Sequence, residues 1–205
     1  PFAIHEQNSI AGLANRVLAR LADRVLTAFP RAFGEATAVI WTGNPVREEI
    51  TAMAPPENRY ASRAGQLRLL VVGGSLGAQV LNTVVPEALA LIAPQARPRV
   101  THQAGTANHE AVRDRYQASG VSATVLPFID DMAGRYAETD LIVCRAGATT
   151  VAEIAAAGIA SVLVPYPHSV DDHQTLNARF LSDRGAALLI PQSELTAQGL
   201  AEVLS

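Results

Sequence analysis

The sequence predicts an α/β protein built on a Rossmann-like, doubly wound parallel sheet. Three observations carry this prediction. Six short runs rich in Val, Leu and Ile recur between residues 67 and 190; each run is nearly continuous rather than alternating; and segments with apolar residues at helical spacing separate them. Continuous apolar runs suit strands buried on both faces, the normal situation in a parallel sheet. Strand and helix alternating at this length give an open α/β sheet.

The six runs are 67–72, 99–102, 123–126, 141–144, 161–164 and 187–190. Between them, Val80, Leu81, Val84, Val85 and Leu89 form one helical set, and Val151, Ile154 and Ala155 another. The first 45 residues differ. Residues 8–26 read as a helix with Leu13, Val17, Leu18 and Leu21 on one face, followed by strand-like pieces near 25–28 and 38–41. Gly43-Asn44-Pro45 is a turn signal, so a domain junction is expected near 44–47. The polar stretch around 54–65, with Pro55-Pro56, reads as a loop.

Bulk properties bound the function. A chain of 205 residues, 49% hydrophobic and 17% charged, can bury a sizeable core. A formal charge of −3 gives no bulk basicity for nucleic-acid binding. The single cysteine, Cys144, excludes an internal disulfide and a cysteine-rich zinc site, and fits a reducing compartment. No apolar run is long enough to cross a bilayer, and no signal peptide is evident. The sequence opens at Pro1 without a Met and stops inside a helical pattern at 200–205, so both ends read as cut from something longer.

In an open α/β sheet, ligands bind beyond the carboxyl ends of the strands. The residues after the apolar runs are therefore the candidates. Val72-Gly73-Gly74-Ser75-Leu76-Gly77-Ala78 joins a strand to a helix. Glycines let backbone approach a ligand, and a helix start offers unpaired N–H groups suited to phosphate. The spacing is neither the dinucleotide fingerprint nor a P-loop, and an ordinary tight turn is the plain alternative. Cys144-Arg145-Ala146-Gly147-Ala148-Thr149-Thr150-Val151-Ala152-Glu153 also runs from strand to helix. Thr149 and Thr150 are natural capping hydroxyls. Glu153, in the first turn or so, suits either the paired hydroxyls of a ribose or simply the helix dipole. Cys144, ending an apolar run, reads as core.

A third segment, Val164 to Ala178, holds His168, Asp171, Asp172 and His173. These suit helix capping at least as well as a metal, and the HExxH spacing is absent. Gln174 and Asn177 fall on one helix face and suit a sugar or plain solvent. His5-Glu6-Gln7-Asn8 and Asn44-Pro45-Val46-Arg47 complete the set, with Asn8 a ligand contact or an N-cap and Arg47 a phosphate clamp or surface charge. In Phe128-Ile129-Asp130-Asp131-Met132, the Ile129 backbone can face a base while the aspartates cap the next helix.

Taken in order, these motifs resemble the MurG family of GT-B glycosyltransferases over essentially the whole chain. The resemblance implies two Rossmann-like domains with a cleft between them. Residues 46–205 would be the UDP-GlcNAc-binding domain, incomplete at its carboxy terminus, and 1–45 a remnant of the amino-terminal acceptor domain. By motif, Asn8 would meet the donor sugar and Arg47 a phosphate. Ser75 would bind the diphosphate on the Gly73-Gly74 turn, and Ile129 would hold the uracil. Ala148, Thr149, Thr150, Val151 and Ala152 would line the nucleotide pocket, Glu153 would bind the ribose, and Gln174 the sugar. The implied reaction is inverting transfer of GlcNAc to the C4 hydroxyl of undecaprenyl-pyrophosphoryl-MurNAc-pentapeptide (lipid I, giving lipid II) in peptidoglycan synthesis. It needs no metal or other cofactor and no nucleic acid. It takes place at the cytoplasmic face of the bacterial inner membrane, with peripheral contact. The general base stays unassigned; a family histidine outside this sequence is a candidate, and His5 and Glu6 lie near the expected cleft. The chain alone is expected to bind donor without catalysing transfer. Another GT-B UDP-sugar transferase, a UDP-GlcNAc epimerase and a non-catalytic binding module are the alternatives.

Overall fold

The computed structural model describes residues 1–205 except Ala36, Ser62 and Ser75, and the side chain of Val170. Along the chain run β1 (Ala3–Glu6), α1 (Leu13–Leu18), β2 (Arg24–Thr27), β3 (Ile40–Trp41), α2 (Glu48–Thr51) and α3 (Pro56–Tyr60). Then follow β4 (Arg68–Val72), α4 (Gln79–Leu91), β5 (Arg99–Gln103), α5 (His109–Ala118), β6 (Ala123–Leu126) and α6 (Met132–Glu138). The chain continues with β7 (Leu141–Cys144), α7 (Ala148–Ala157), β8 (Ala160–Leu163), α8 (His173–Ser182), β9 (Ala187–Leu189) and α9 (Ala197–Leu204).

All six apolar runs become strands of one parallel sheet, ordered β6-β5-β4-β7-β8-β9. Leu69 and Val71 point to one face and Leu70 and Val72 to the other, so a continuous run fills two cores at once. The first core packs Leu69, Val71, Val100 and Val143 against Leu81, Val85 and Leu89 of α4 and Leu200 and Leu204 of α9. The second packs Leu70, Val72, Ile142 and Cys144 against Val151 and Ile154 of α7, Tyr136 of α6 and Ile50 of α2. Strand order reverses between β4 and β7. The loops after these strands therefore diverge, and a crevice opens at their carboxyl ends.

The first 45 residues form a separate three-stranded parallel sheet, β1-β2-β3. It docks on the larger sheet's helices through Phe29, which meets Phe180 of α8 edge-on with ring centroids 5.2 Å apart. The helix expected over 8–26 is much shorter. It begins only at Leu13, and Arg24–Thr27 is taken into β2 by pairing with β1. The buried Glu6 carboxylate accepts from the backbone N–H of Asn8 (2.9 Å) and Gly12 (3.1 Å), which delays the helix start. Leu13, Val17, Leu18 and Leu21 are all exposed. The loop expected around 54–65 contains α3, because Pro56 occupies the first helical turn, where a fixed φ and a missing N–H are assets. Arg59 within α3 and Arg63 just after it donate to the carbonyls of Ala157 and Ala137.

One polar chain crosses the first core. Asn82 Nδ2 donates to the Ala104 carbonyl at 3.1 Å, so its Oδ1 is the acceptor facing His102 Nε2 at 3.1 Å. His102 therefore carries its proton on Nε2, and its Nδ1 accepts from the Tyr116 hydroxyl at 3.0 Å. Burial lowers the His102 pKa to about 3. Below about pH 6.5 the unfolded chain takes up a proton that the folded chain refuses until about pH 3. Stability is thus complete above pH 6.5 and falls by up to about 1.4 kcal/mol for each pH unit descended in that window. Urea unfolding at pH 7 and pH 5 should show this loss, and His102→Gln should reduce it by about 2 kcal/mol. An unchanged pH dependence in the variant would contradict a neutral buried imidazole.

Candidate functional site

An open cleft of 510 Å³ lies beyond the carboxyl ends of the central strands, lined by Gly73, Gly74, Arg145, Gly147, Thr150 and Gln174 among others. The turn after β4 forms its first wall. Gly77 N–H donates to the Gly74 carbonyl at 3.0 Å, with Gly74 at φ 84° and Gly77 at φ 77°, values that favour glycine. A Cβ on Gly73 would collide with the Ala78 backbone, and one on Gly77 with the Ala104 carbonyl. Among the described residues no side chain caps α4, whose N-cap residue is Ala78. The first-turn amides are left to water or to an anion. Ser75 lies outside the described residues.

The second wall is the start of α7. Gly147 is the N-cap residue and among the described residues no side chain caps this start; Thr149 and Thr150 sit inside the first turn, too late to serve as caps. Ala148 and Val151 are turned into the core, so only their backbone can reach a ligand, whereas Thr149 is exposed. Glu153 falls in the second turn. Its Oε1 accepts from Arg47 Nε at 2.9 Å and its Oε2 from the Tyr136 hydroxyl at 3.3 Å. Both oxygens are thereby oriented on a side chain only 15% exposed. The Glu153 hydrogen bond raises the Arg47 pKa, and burial, with carboxylate help, raises that of the Tyr136 phenol. Arg47, expected at a phosphate, is held at this carboxylate.

The third wall follows β8. Gln174 Oε1 accepts from Tyr166 N–H at 2.9 Å, which fixes the amide. Asn177 is buried and ties the two sheets together: its Oδ1 accepts from Ser9 N–H at 2.9 Å and its Nδ2 donates to Asn8 Oδ1 at 3.3 Å. Asn8 does not cap α1, whose N-cap is Gly12. Asp172 is the N-cap residue of α8, but its carboxylate accepts no backbone N–H of the first turn. Asp171 and Asp172 both have left-handed backbone, at φ 52° and 53°; Asp171 pairs with Arg16 at 3.1 Å, and Asp172 accepts from the Thr175 hydroxyl at 2.7 Å. Asp131 does cap α6, accepting from Gly134 N–H at 2.8 Å. Among the described residues no cluster of three or more His, Cys, Asp or Glu side chains is placed to hold a metal ion. Cys144 is buried, and its thiol is pushed up to about 12 by burial, as suits a core residue. Glu6 is occupied by three donors, Asn8 N–H, Gly12 N–H and Asn15 Nδ2, and His5 Nε2 donates to the Gly43 carbonyl at 3.0 Å.

Residues 68–205, about two thirds of the chain, match the glycosyltransferase family 28 C-terminal domain. The chain belongs to glycosyltransferase family 28. It is 61% identical over 204 residues to the UDP-N-acetylglucosamine–N-acetylmuramyl-(pentapeptide) pyrophosphoryl-undecaprenol N-acetylglucosamine transferase of Nitrosospira multiformis, and 60% identical over 205 residues to that of Cupriavidus pinatubonensis. The whole chain is covered in both, and it spans 57% of the length of each relative. The crystal structure of Acinetobacter baumannii MurG is similar with a TM-score of 0.86 and 42% identity, covering 99% of this chain and 56% of that one.

Two residues of this family 28 cleft were quoted in no motif or given no role by the sequence. Gln103, at the end of β5, is 2% exposed. Its Nε2 donates to the Gly74 carbonyl at 3.0 Å, and its Oε1 accepts from Ile129 N–H at 3.2 Å. It couples the glycine turn to the loop expected to take the base, and it occupies the Ile129 amide. The apolar run ends at His102, which leaves Gln103 outside it; a polar residue ending a central strand is the available signal. Replacing Gln103 by Leu strands the buried Ile129 amide and removes one of the two donors to the Gly74 carbonyl, and should cost about 1–3 kcal/mol in chemical unfolding. An unaltered midpoint and slope would show that the bridge is dispensable. Arg145, the other residue, follows β7 on the cleft floor.

Proposed function

We propose that this family 28 chain forms the donor side of an inverting N-acetylglucosaminyltransferase and holds UDP-GlcNAc in the cleft between the β4 and β7 loops. One observation carries the reading: an uncapped helix start behind a glycine turn faces a second uncapped helix start whose carboxylate is already oriented. The diphosphate sits at the Gly73-Gly74 turn with Ser75, where helix amides favour negative charge and stabilise the departing UDP. Glu153 accepts from the ribose hydroxyls. The backbone of Thr149, Thr150, Val151 and Ala152, with Ala148, lines the nucleotide. The loop at Ile129 receives the uracil, and Gln174 and Asn8 meet the sugar. The names of the relatives support this donor and a lipid-linked acceptor.

In the reaction, the C4 hydroxyl of undecaprenyl-pyrophosphoryl-MurNAc-pentapeptide attacks the anomeric carbon, UDP departs, and a base takes the hydroxyl proton. Residues 46–205 would be the donor domain and 1–45 the closing piece of an acceptor domain. The separate β1-β2-β3 sheet supports this division. Among the described residues no helix is long and apolar enough to cross a membrane. Contact with the inner membrane would be peripheral, at the face where peptidoglycan precursors are built, and through that product the enzyme would serve cell shape and division.

Calorimetry of the chain with UDP-GlcNAc and UDP-GalNAc tests the donor assignment. GlcNAc should be preferred, and product should form only in a protein of the relatives' full length. Equal affinity for the two donors would favour another UDP-sugar enzyme. Transfer by the 205-residue chain alone would refute the proposed division of labour.

A further inference from the structure

Arg145 is a half-buried cation with no carboxylate beside it among the described residues. Nη1 donates to the carbonyls of Val164 (3.1 Å) and Pro165 (3.0 Å), Nη2 donates to Gln192 Oε1 at 2.7 Å, and the guanidinium lies over the Tyr166 ring, 5.4 Å from its centroid. Every one of these partners is neutral. Three of its five N–H groups are used, and the other two donate to no described residue. Burial lowers its pKa against an opposing effect from Tyr166, although an arginine stays charged under such a shift.

Among the described residues lining the cleft, Arg145 is the one that carries a formal charge. Arg47, the other cation near the nucleotide path, is neutralised by Glu153. Partly desolvating a guanidinium without an anion is unfavourable, and the cost is recovered when an anion arrives. A nucleoside diphosphate brings such charge, and Gly73, Gly74 and Thr150 share the cleft wall with Arg145.

We propose that Arg145 is a donor-binding residue whose positive charge, added to the partial charges of the two helix starts, holds the diphosphate of the nucleotide. The inference rests on the donor reading above. It adds a formal cation to a site that otherwise offers only amides and hydroxyls. It also gives the carbonyl contacts a purpose, because they fix the guanidinium at the floor before any ligand binds.

The test compares Arg145→Gln and Arg145→Lys with the unaltered chain, using uridine, UDP and UDP-GlcNAc as probes in NMR titrations. Glutamine should weaken UDP and UDP-GlcNAc by about 10- to 100-fold while leaving uridine within about twofold. Lysine, which keeps the charge and loses the fork, should fall between. Bound UDP should titrate its terminal phosphate at lower pH in the unaltered chain than in Arg145→Gln, as followed by phosphorus NMR; a mere brace of the β8 loop would not move that value. Equal losses for uridine and UDP, or no loss for either, would overturn the proposal. If the unaltered, folded chain binds no uridine compound, the donor reading itself falls and takes this inference with it. If it binds uridine and UDP equally well, only the role of Arg145 is lost.

Discussion

Gly77→Ala should abolish donor binding in practice and destabilise the chain. Gly77 has φ 77°, and a Cβ there would strike the Ala104 carbonyl, a backbone atom that cannot swing aside. The contact is reciprocal: a Cβ on Gly105 would approach Gly77 N to 2.7 Å. Asn108 Nδ2 adds a hydrogen bond to the Leu76 carbonyl at 3.3 Å, so the two loops are interlocked. Left-handed strain and forced separation of the loops together should cost about 2–5 kcal/mol. The displaced turn would also move the amides at the start of α4. Chemical unfolding and UDP titration check both parts. A variant with normal stability and normal affinity would show that the interlock does not set the turn. Gly74→Ala offers a contrast: its Cβ meets nothing within 4 Å, so only the cost of φ 84° applies, about 1–2 kcal/mol.

Glu153→Ala should cost about 1–2 kcal/mol of stability, because the buried Tyr136 hydroxyl loses its acceptor, and remove about 100-fold of nucleotide affinity, roughly 2–3 kcal/mol. The lost Arg47 ion pair adds little to that cost, because Arg47 is 49% exposed and the pair is screened by water. The binding effect is large because, in the proposed pose, the carboxylate fixed by Arg47 and Tyr136 would accept from two ribose hydroxyls at once. Deoxyribose nucleotides give the check: 2′-deoxy-UDP should bind the unaltered chain more weakly than UDP, and Glu153→Ala should erase the difference. A difference that survives in the variant would place the ribose elsewhere.

Much of the fold was legible because continuous apolar runs have few other uses. Runs at 141–144 and 123–126 became β7 and β6 without change, and the others shifted by a residue or two. The cleft was legible for a geometric reason: ligands gather at the carboxyl ends of strands, so the residues after each run were the ones to watch. What escaped was pairing across long separations. Arg47 and Glu153 lie 106 residues apart, and no spacing rule joins them. Capping assignments failed at Asn8, Thr149 and Thr150 because Glu6 and the glycine at position 147 set those helix starts instead, and Asp172 holds the N-cap position of α8 in a left-handed turn without its carboxylate capping a backbone N–H. The helix expected over 8–26 failed because its second half had a better partner in β1. Gln103 and Arg145 were missed as functional because a lone polar residue at a strand end carries no pattern of its own.

The central claim is that a uridine diphosphate sugar occupies the cleft between the β4 and β7 loops. Nitrogen-15 NMR of the labelled chain titrated with UDP-GlcNAc tests it most directly. The account predicts saturable shifts of the Gly73, Gly74, Gly77, Thr150, Glu153 and Gln174 amides, with Leu13–Leu18 unmoved. A folded sample whose cleft amides stay fixed, or whose shifts gather away from that crevice, would contradict it.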